Sequence, residues 1–316
     1  MPIIPKVVYF ENIDMLPRAL LMENDCLDAM NAIPDRTINL ILCDLPYGTT
    51  QNAWDSIIPL DMLWTHYRRI LAPRGVVALM SQGSFTARVI LSQESLFKYK
   101  ITWIKSKPTN FLNAKKQPLR KHEDVCVFYA QQPNYSPQMS QGAPYDKGIR
   151  KSQLTGSYGE FRPAHIRSEG ERYPTDVVYF KTAEAEGRVW HPTQKPVELG
   201  RYLIRTYTSP EDVVLDNCFG SASFIVAAAL EKRNAIGIEL NKDIAEFKNE
   251  PLDLIEVAHQ RLSGIAITNV LPHSKRKTSR DVVRAFLNPP KANKPHEHRV
   301  QARQHGQPNS CLPALA

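Results

Sequence analysis

The chain has 316 residues, of which 42% are hydrophobic and 23% are charged. This length suits one large domain with an insert or a tail, and it allows a sizeable core. The five cysteines form no C-x-x-C pair, which argues against a disulfide framework and a zinc site. We find no signal peptide and no apolar run long enough to cross a bilayer, so we expect a soluble, cytoplasmic protein without membrane partners.

The net charge of +8 is concentrated in two places. Residues 271–316 hold nine Lys and Arg against two Asp and Glu, and residues 98–121 hold eight Lys and Arg and no acidic residue. Both segments suit a polyanionic partner. The alternative is a solvated surface and a disordered tail.

Short apolar segments alternate with helical patterns along the chain. Residues 59–72 place Leu60, Leu63, Trp64, Tyr67 and Leu71 at helical spacing, and residues 196–208 and 221–233 also predict helices. The predicted strands are ALLME (19–23), INLILCD (38–44), GVVALMS (75–81), YKITWIK (99–105), DVCVFYA (124–130), DVVLDN (212–217) and AIGIEL (235–240). This order predicts an α/β fold with a doubly wound, mostly parallel sheet.

Two segments depart from this alternation. Residues 131–190 are polar and rich in Pro, Gly, Ser, Tyr and Arg, which predicts an inserted recognition region. Residues 266–316 are basic and poor in apolar residues, which predicts a largely disordered tail. A short helix over SRDVVRAFL (279–287) is the alternative within this tail.

The stretch NLILCDLPYG (39–48) ends an apolar strand with Asp44 and continues through Leu45 and Pro46 to Tyr47. A carboxylate at the end of a buried parallel strand lies where ligands bind in α/β sheets. The alternatives are an Asx turn or a helix cap for Asp44 and a core position for Tyr47.

A second motif lies at residues 213–240, where the pattern is strand, small-residue turn, helix and strand. The first strand ends at Asp216, the turn holds Phe219, Gly220 and Ser221, and the second strand ends at Glu239. An acid at that position suits ribose hydroxyls. The turn lacks G-x-G-x-x-G, so a nucleoside with a short charged appendage, such as S-adenosylmethionine, fits better than a dinucleotide. A plain helix–sheet packing turn is the alternative.

Residues 16–265 resemble the β class of amino DNA methyltransferases, in which a D-P-P-Y motif precedes an F-x-G-x-G cofactor motif. DLPYG and LDNCFGSASF match these two motifs, and KHEDVCVFY and HPTQKPVEL match neighbouring stretches. The resemblance implies a circularly rearranged Rossmann-like methyltransferase fold. Its catalytic half is 1–130, its target-recognition insert 131–190 and its cofactor-binding half 191–265.

The resemblance implies adenine-N6 methylation of double-stranded DNA with S-adenosylmethionine, because cytosine-N4 members usually begin the motif with Ser. Asp44 and the Leu45 carbonyl would accept hydrogen bonds from the target amine, and Tyr47 would stack on the flipped base. Cytosine-N4 methylation and a catalytically weak DNA-binding protein on a degenerate methyltransferase fold remain alternatives. A cognate restriction endonuclease and the choice between monomer and dimer are left open.

The resemblance also indicates residues for ligand binding. The expected cofactor residues are Asp25, Thr193, Lys195, Asp216, Phe219, Gly220, Ser221 and Glu239, with Lys195 suited to the cofactor carboxylate. For Asp25 and Thr193, helix capping is the alternative. Independently of the resemblance, the basic segment 98–121 supplies the expected DNA contacts, which are Lys107, Asn110, Phe111, Lys115, Lys116 and Arg120. For Lys107, Asn110 and Phe111 a place in the base pocket is a second possibility, and a plain surface loop is the alternative.

Three positions depart from the family pattern. Leu45 replaces the first Pro of D-P-P-Y, Ala222 stands where the cofactor loop usually has Gly, and Ile225 stands where small residues are common. If position 222 requires a positive φ, alanine strains the turn by about 1 kcal/mol or more. If its φ is negative, the methyl group only crowds the cofactor.

Overall fold

The computed structural model describes residues 7–10, 17–49, 55–150, 164–241, 246–247, 250–263, 265, 270–271 and 279–288. The strands are β1 Val7–Phe10, β2 Ala19–Glu23, β3 Ile38–Cys43, β4 Leu71–Ser81, β5 Phe97–Thr109, β6 Arg120–Phe128, β7 Ser140–Gln141, β8 Tyr145–Arg150, β9 Ala164–Ser168, β10 Glu171–Arg172, β11 Val177–Phe180, β12 Val213–Asp216, β13 Asn234–Glu239, β14 Glu246–Phe247, β15 Glu250–Pro251 and β16 Val270–Leu271. The helices are α1 Cys26–Met30, α2 Leu60–Ile70, α3 Ser84–Ser92, α4 Val197–Tyr207, α5 Ser223–Leu230, α6 Leu254–Ser263 and α7 Ser279–Leu287, with 3₁₀ turns at Phe111–Asn113 and Ala183–Glu186.

One mostly parallel sheet organises the fold, in the order β11-β5-β6-β4-β3-β12-β13-β2-β1-β16. Strands β6 and β1 run antiparallel to their neighbours. From β3 the chain continues to β4 on one side, and from the adjacent β12 it continues to β13 on the other side. The carboxyl ends of β3 and β12 therefore flank a topological switch point, where open α/β sheets bind ligands. The predicted α/β class is confirmed.

Both faces of the sheet are covered, which explains why its strands are nearly continuous apolar runs. Alternate residues of β3 enter opposite cores, with Leu40 and Leu42 on one face and Ile41 and Cys43 on the other. Helices α4, α5 and α6 pack on the first face. Helices α1, α2, α3 and α7 pack on the second.

Helix α2 buries Leu63, Trp64 and Tyr67 of the predicted stripe together with Ile70, whereas Leu60 is only half-buried. The predicted extension to residue 72 is wrong, because Leu71 has extended backbone angles and begins β4. No helix in the described part of the chain has the length and apolar character needed to cross a membrane.

Residues 131–150 and 164–190 contain the short strands β7 to β11. Pairs β7–β10 and β8–β9 form separate two-stranded sheets, whereas β11 pairs in parallel with β5 at the edge of the main sheet. The predicted insert therefore shares its last strand with the main sheet.

The short helix that the sequence offers as an alternative within the tail is present as α7, Ser279–Leu287. Helix α7 buries Val282, Val283 and Phe286 in the second core, and the Arg18 guanidinium lies 4.9 Å from the centre of the Phe286 ring. The buried apolar residues of α7 share one helix face, which lets a short basic segment pack on the core. The rest of the predicted tail, apart from residues 270–271 and 288, lies outside the described residues.

Candidate active site

The turn after β3 presents Asp44 at the switch point. The carboxylate of Asp55 fixes this turn, since it accepts backbone hydrogen bonds from Gly48 and Thr49, both at 2.8 Å. Leu45 is buried in the second core.

The carboxylate of Asp44 has two donors. The Tyr47 hydroxyl donates to Oδ1 at 2.8 Å, and the Lys195 ammonium donates to Oδ2 at 2.5 Å. The Asp44 side chain remains 22% exposed. Asp44 is therefore held in one orientation and still accessible from the adjoining cavity.

Sequence reasoning missed the second carboxylate of this cluster, Glu123. Its Oε2 lies 3.3 Å from the Lys195 ammonium and 3.4 Å from the Tyr47 hydroxyl, and its Oε1 accepts from Lys105 at 3.1 Å. Two carboxylates thus face two ammonium groups, and we name Asp44, Glu123, Lys105 and Lys195 the charge network. Glu123 lies in the KHEDVCVFY stretch, but it reaches the site because antiparallel β6 begins at this edge.

Burial and charge act differently on the members of this network. Burial raises the pKa of Asp44, Lys195 opposes that shift and Glu123 adds to it. Burial alone would raise the pKa of Glu123, but Lys195 and Lys105 outweigh it, so its pKa is lowered. Burial likewise disfavours the Lys195 ammonium, but Asp44 and Glu123 raise its pKa. Lys195 therefore stays charged between the two acids.

The predicted partner of Lys195 is the cofactor carboxylate, whereas the structure engages its ammonium with two protein carboxylates. The HPTQKP turn that carries it is held by His191, whose Nδ1 accepts from the Thr193 amide at 3.2 Å. Burial, and then Lys195, lowers the pKa of His191 to about 4, so the ring is neutral. Glu186, rather than Thr193, caps α4 by accepting from the amides of Val197 and Glu198.

The Tyr47 ring stacks on Phe85, with ring centres 5.0 Å apart and planes inclined by 28°. The Lys195 ammonium lies 5.6 Å from the centre of the Tyr47 ring. Tyr47 is thus packed and hydrogen-bonded beside Asp44. Its stacking on a target base stays a prediction.

A cavity of about 330 Å³ adjoins Asp44 and Pro46. This volume is within the range of small-molecule sites. All the predicted cofactor residues line it: Asp25, Thr193, Lys195, Asp216, Phe219, Gly220, Ser221 and Glu239. The cavity spans the ends of β2, β3, β12 and β13, which explains how residues so far apart in sequence meet.

The carboxylates of the cavity also shape its walls. Asp25 accepts from the Leu27 amide at 2.8 Å, so the expected alternative of an α1 cap is confirmed. Glu239 accepts from the Gly220 amide at 2.8 Å and ties the turn after β12 to the end of β13. Asp216 accepts from the Cys218 amide, and burial raises the pKa of Asp216 to about 8.

The turn before α5 contains the predicted backbone strain. Ala222 has φ 62° and ψ 29°, and its side chain is buried in the first core. Of the two possibilities for position 222, the structure has the positive φ that would favour glycine, and alanine occupies it with a packed methyl group.

The predicted DNA contacts lie away from the cavity lining, on and beside the loop between β5 and β6. Asn110 is half-buried with φ 70°, and it accepts from the Asn113 amide side chain at 2.7 Å. The exposed members are Lys107, Phe111, Lys115, Lys116 and Arg120. The described residues contain no group of three or more His, Cys, Asp or Glu side chains suited to a metal ion.

The sequence profile of a family described as DNA methylase matches residues 38–250, well over half of the chain. The chain belongs to the DNA methylase family. This family comprises N6/N4 DNA methyltransferases, which use S-adenosylmethionine as the methyl donor. The matched residues include Asp44, Glu123, Lys195, Asp216 and Glu239, so the charge network and most of the cavity lining fall within the part of the chain that matches the family.

Several DNA methyltransferases are similar to this family member. The DNA adenine methyltransferase YhdJ of Escherichia coli (strain K12) is 25% identical over 252 residues, which cover 74% of this chain and 82% of that protein. The type II methyltransferase M1.MboII of Moraxella bovis is 22% identical over 268 residues, which cover 77% of this chain and all of that protein.

Two solved structures share the fold. The M1.HpyAVI–SAM complex has a TM-score of 0.52 and 18% identity, and the match covers 77% of this chain and 98% of that chain. The cytosine-N4-specific PvuII DNA methyltransferase has a TM-score of 0.53 and 15% identity, with 88% and 97% covered.

Proposed function

We propose that this DNA methylase methylates the exocyclic N6 amine of adenine at a specific sequence of double-stranded DNA. The proposal rests on Asp44, whose carboxylate lines the cavity and accepts hydrogen bonds from Tyr47 and Lys195. The motif begins with Asp, as in the adenine enzymes that it resembles. The order of the two motifs along the chain supports the circularly rearranged class.

The cavity fits S-adenosylmethionine by the chemistry of its walls. Glu239 ends β13, where an acid suits ribose hydroxyls, and Asp216 offers a carboxylate to an amino group. When bound, the cofactor supplies an electrophilic methyl group. Thr193 and the turn at Gly220 and Ser221 are the proposed contacts to its remaining polar groups.

The proposed role of Asp44 follows from the weakness of the adenine amine as a nucleophile, because its lone pair is delocalised into the ring. Hydrogen bonds from the amine to Asp44 and to the Leu45 carbonyl free that lone pair. The same acceptors stabilise the positive charge that develops on nitrogen. The nitrogen gains a methyl group and loses one proton, which passes to Asp44 or to solvent. In this mechanism Lys195 keeps Asp44 oriented.

Base flipping is part of the proposal, because the amine of a stacked base is out of reach of a recessed carboxylate. Residues 131–190 are the proposed target-recognition segment. Cytosine-N4 methylation is the alternative, because solved structures with this fold include a cytosine-N4-specific enzyme and the fold does not distinguish the two bases.

The test is to express the full chain in a bacterial host that lacks DNA methylation and to sequence the genomic DNA for modified bases. We expect N6-methyladenine at one recurrent sequence, and none in cells that express Asp44→Ala at an equal level. N4-methylcytosine would transfer the assignment to cytosine. An unmodified genome, with soluble protein that binds DNA but not S-adenosylmethionine in calorimetry, would instead indicate a degenerate DNA-binding protein.

A further inference from the structure

The loop between β5 and β6 exposes two adjacent large apolar side chains. Phe111 is 76% exposed and Leu112 is 84% exposed, and both lie in the 3₁₀ turn Phe111–Asn113. We name this pair the apolar tip. Single exposed apolar residues are ordinary on protein surfaces, whereas two adjacent large apolar side chains that are both mostly exposed indicate a contact surface.

The charges around the apolar tip indicate the kind of partner. The exposed cations nearest in sequence are Lys107, Lys115, Lys116, Arg120 and Lys121, and residues 98–121 contain no acidic residue. Such a surface attracts a polyanion at long range. A protein partner with an ordinary mixture of charges would not need this excess.

The loop between β5 and β6 begins next to the charge network. Lys105 donates to Glu123 and to the Thr109 hydroxyl, each at 3.1 Å, so one ammonium joins the site to the base of the loop. Thr109 is paired with Arg120 across the two strands. The apolar tip therefore lies at the same sheet edge as Asp44.

The tip is also held in shape. The Asn113 side chain donates to the Asn110 Oδ1 at 2.7 Å, and the Lys116 amide donates to the Asn113 carbonyl at 2.8 Å. A preformed tip can enter a base stack without first ordering the loop, which lowers the entropic cost of binding.

We propose that Phe111 and Leu112 form a wedge that enters the DNA base stack beside the target and fills the space left when the target base moves to Asp44. Apolar side chains inserted between base steps unstack them in several DNA-binding proteins. The surrounding cations hold the phosphates on either side. This inference rests on the proposed methylation of flipped bases in duplex DNA.

The experiment compares the full-length wild type with the Phe111→Ala/Leu112→Ala variant on two duplexes that carry the mapped target sequence. One duplex is fully paired, and the other has an abasic nucleotide opposite the target base. The matched control is Leu91→Ala, because Leu91 is 72% exposed on α3 and belongs to neither the loop nor the charge network.

We expect the double variant to show a decrease of about tenfold to hundredfold in single-turnover methylation of the paired duplex, the range typical of removing one base–aromatic stack. On the abasic duplex the decrease should shrink to about threefold or less. There the target base has no pairing partner, so it leaves the stack without the help of a wedge. Fluorescence of 2-aminopurine at the target position should rise on binding of the wild type and of Leu91→Ala, and much less for the double variant.

Equal decreases on the two duplexes, or no decrease on the paired one, would overturn the wedge while leaving the methyltransferase assignment intact. A wild type that methylates neither duplex would overturn the proposed function itself, and the wedge with it.

Discussion

Replacing Glu123 with Gln tests the charge network most directly, because the change removes one charge and keeps the shape of the side chain. Glu123 faces Lys105 at 3.1 Å and Lys195 at 3.3 Å, and its side chain is only 12% exposed. Breaking a buried pair by removing one partner typically costs about 3–5 kcal/mol. Since Gln still accepts a hydrogen bond, we expect the free energy of unfolding at pH 7 to fall by about 3 kcal/mol.

The matched comparison is Glu123→Gln with Lys105→Met, which restores the balance of charge by removing Lys105, the more deeply buried of the two lysines in the charge network. We expect the double variant to lose less unfolding free energy than the two single variants lose together. The difference in the double-mutant cycle should be about 1–3 kcal/mol. Urea unfolding at pH 7 measures the unfolding free energy of the two single variants and the double variant. A decrease below about 0.5 kcal/mol for Glu123→Gln, or strictly additive effects, would refute the network.

The lowered pKa of Glu123 also predicts how the effect of Glu123→Gln on stability changes with pH. Because Lys195 and Lys105 depress the folded-state pKa of Glu123, its contribution is present above the unfolded-state value of about 4.3 and is lost as the pH falls through the folded-state value. The difference in unfolding free energy between wild type and Glu123→Gln should therefore shrink below about pH 4. A difference that grows on acidification would contradict the assigned charges.

Three further predictions concern the cavity and its turn. Asp44→Ala should reduce methyl transfer by at least about a hundredfold with cofactor affinity nearly unchanged in calorimetry, and retention of a tenth of the rate would remove Asp44 from the mechanism. The pKa of Asp216 of about 8 predicts that binding of a cationic amino group at pH 7 releases a proton and that cofactor affinity rises from about pH 6 to about pH 7.5. Calorimetry in two buffers of different ionisation enthalpy should detect this release in wild type and not in Asp216→Asn. Ala222→Gly should change the free energy of unfolding by less than about 1 kcal/mol, because about 1–2 kcal/mol of relieved strain is offset by about 0.8 kcal/mol for the buried methyl group and by the added entropy of the unfolded chain. Urea unfolding that shows more than about 2 kcal/mol of stabilisation would mean that strain dominates.

The sequence predicts the cavity well, because its residues follow parallel strands and the carboxyl ends of such strands meet at one edge. Asp44 and Asp216 come together for this reason. Glu123 is different, since it enters the site at the beginning of a strand. Its place depends on β6 running antiparallel, and the apolar pattern of a strand carries no information about its direction.

The sequence also does not predict the partners of Lys195, because they depend on how distant segments come together in the fold. Its ammonium binds Asp44 from 151 positions away along the chain, and it is drawn there by two carboxylates instead of one. A motif identifies a cation near a ligand site, whereas only the assembled fold determines which acid it meets. For Ala222 the sequence leaves the sign of φ open, because a glycine in the family pattern suits either a left-handed residue or close contact with the cofactor.

The C-terminal segment contains both basic residues that could bind DNA and a helix, α7, that packs on the core. From the sequence alone the two parts form one basic tail. Residues 289–316 hold four Lys and Arg and one Glu, whereas α7 contributes three side chains to the second core. A chain ending at residue 288 keeps the helix, and a chain ending at residue 265 loses it. This pair of truncations therefore distinguishes a role in DNA affinity from a role in folding.

Truncation after residue 288 should leave thermal stability unchanged and flatten the log–log salt dependence of duplex binding by about 0.9 for each phosphate that the tail no longer neutralises. Truncation after residue 265 should also destabilise the protein, because burying Val282, Val283 and Phe286 stabilises the fold by about 1.5–3 kcal/mol per side chain, offset in part by the ordering of the helix. Phe286→Ala in the full chain is the control, since it should lower the unfolding free energy by about 3 kcal/mol and leave the salt slope intact. If both truncations unfold at the temperature of the full chain, the packing of α7 contributes nothing to the fold. If neither changes the salt slope, the basic residues beyond 265 do not bind DNA.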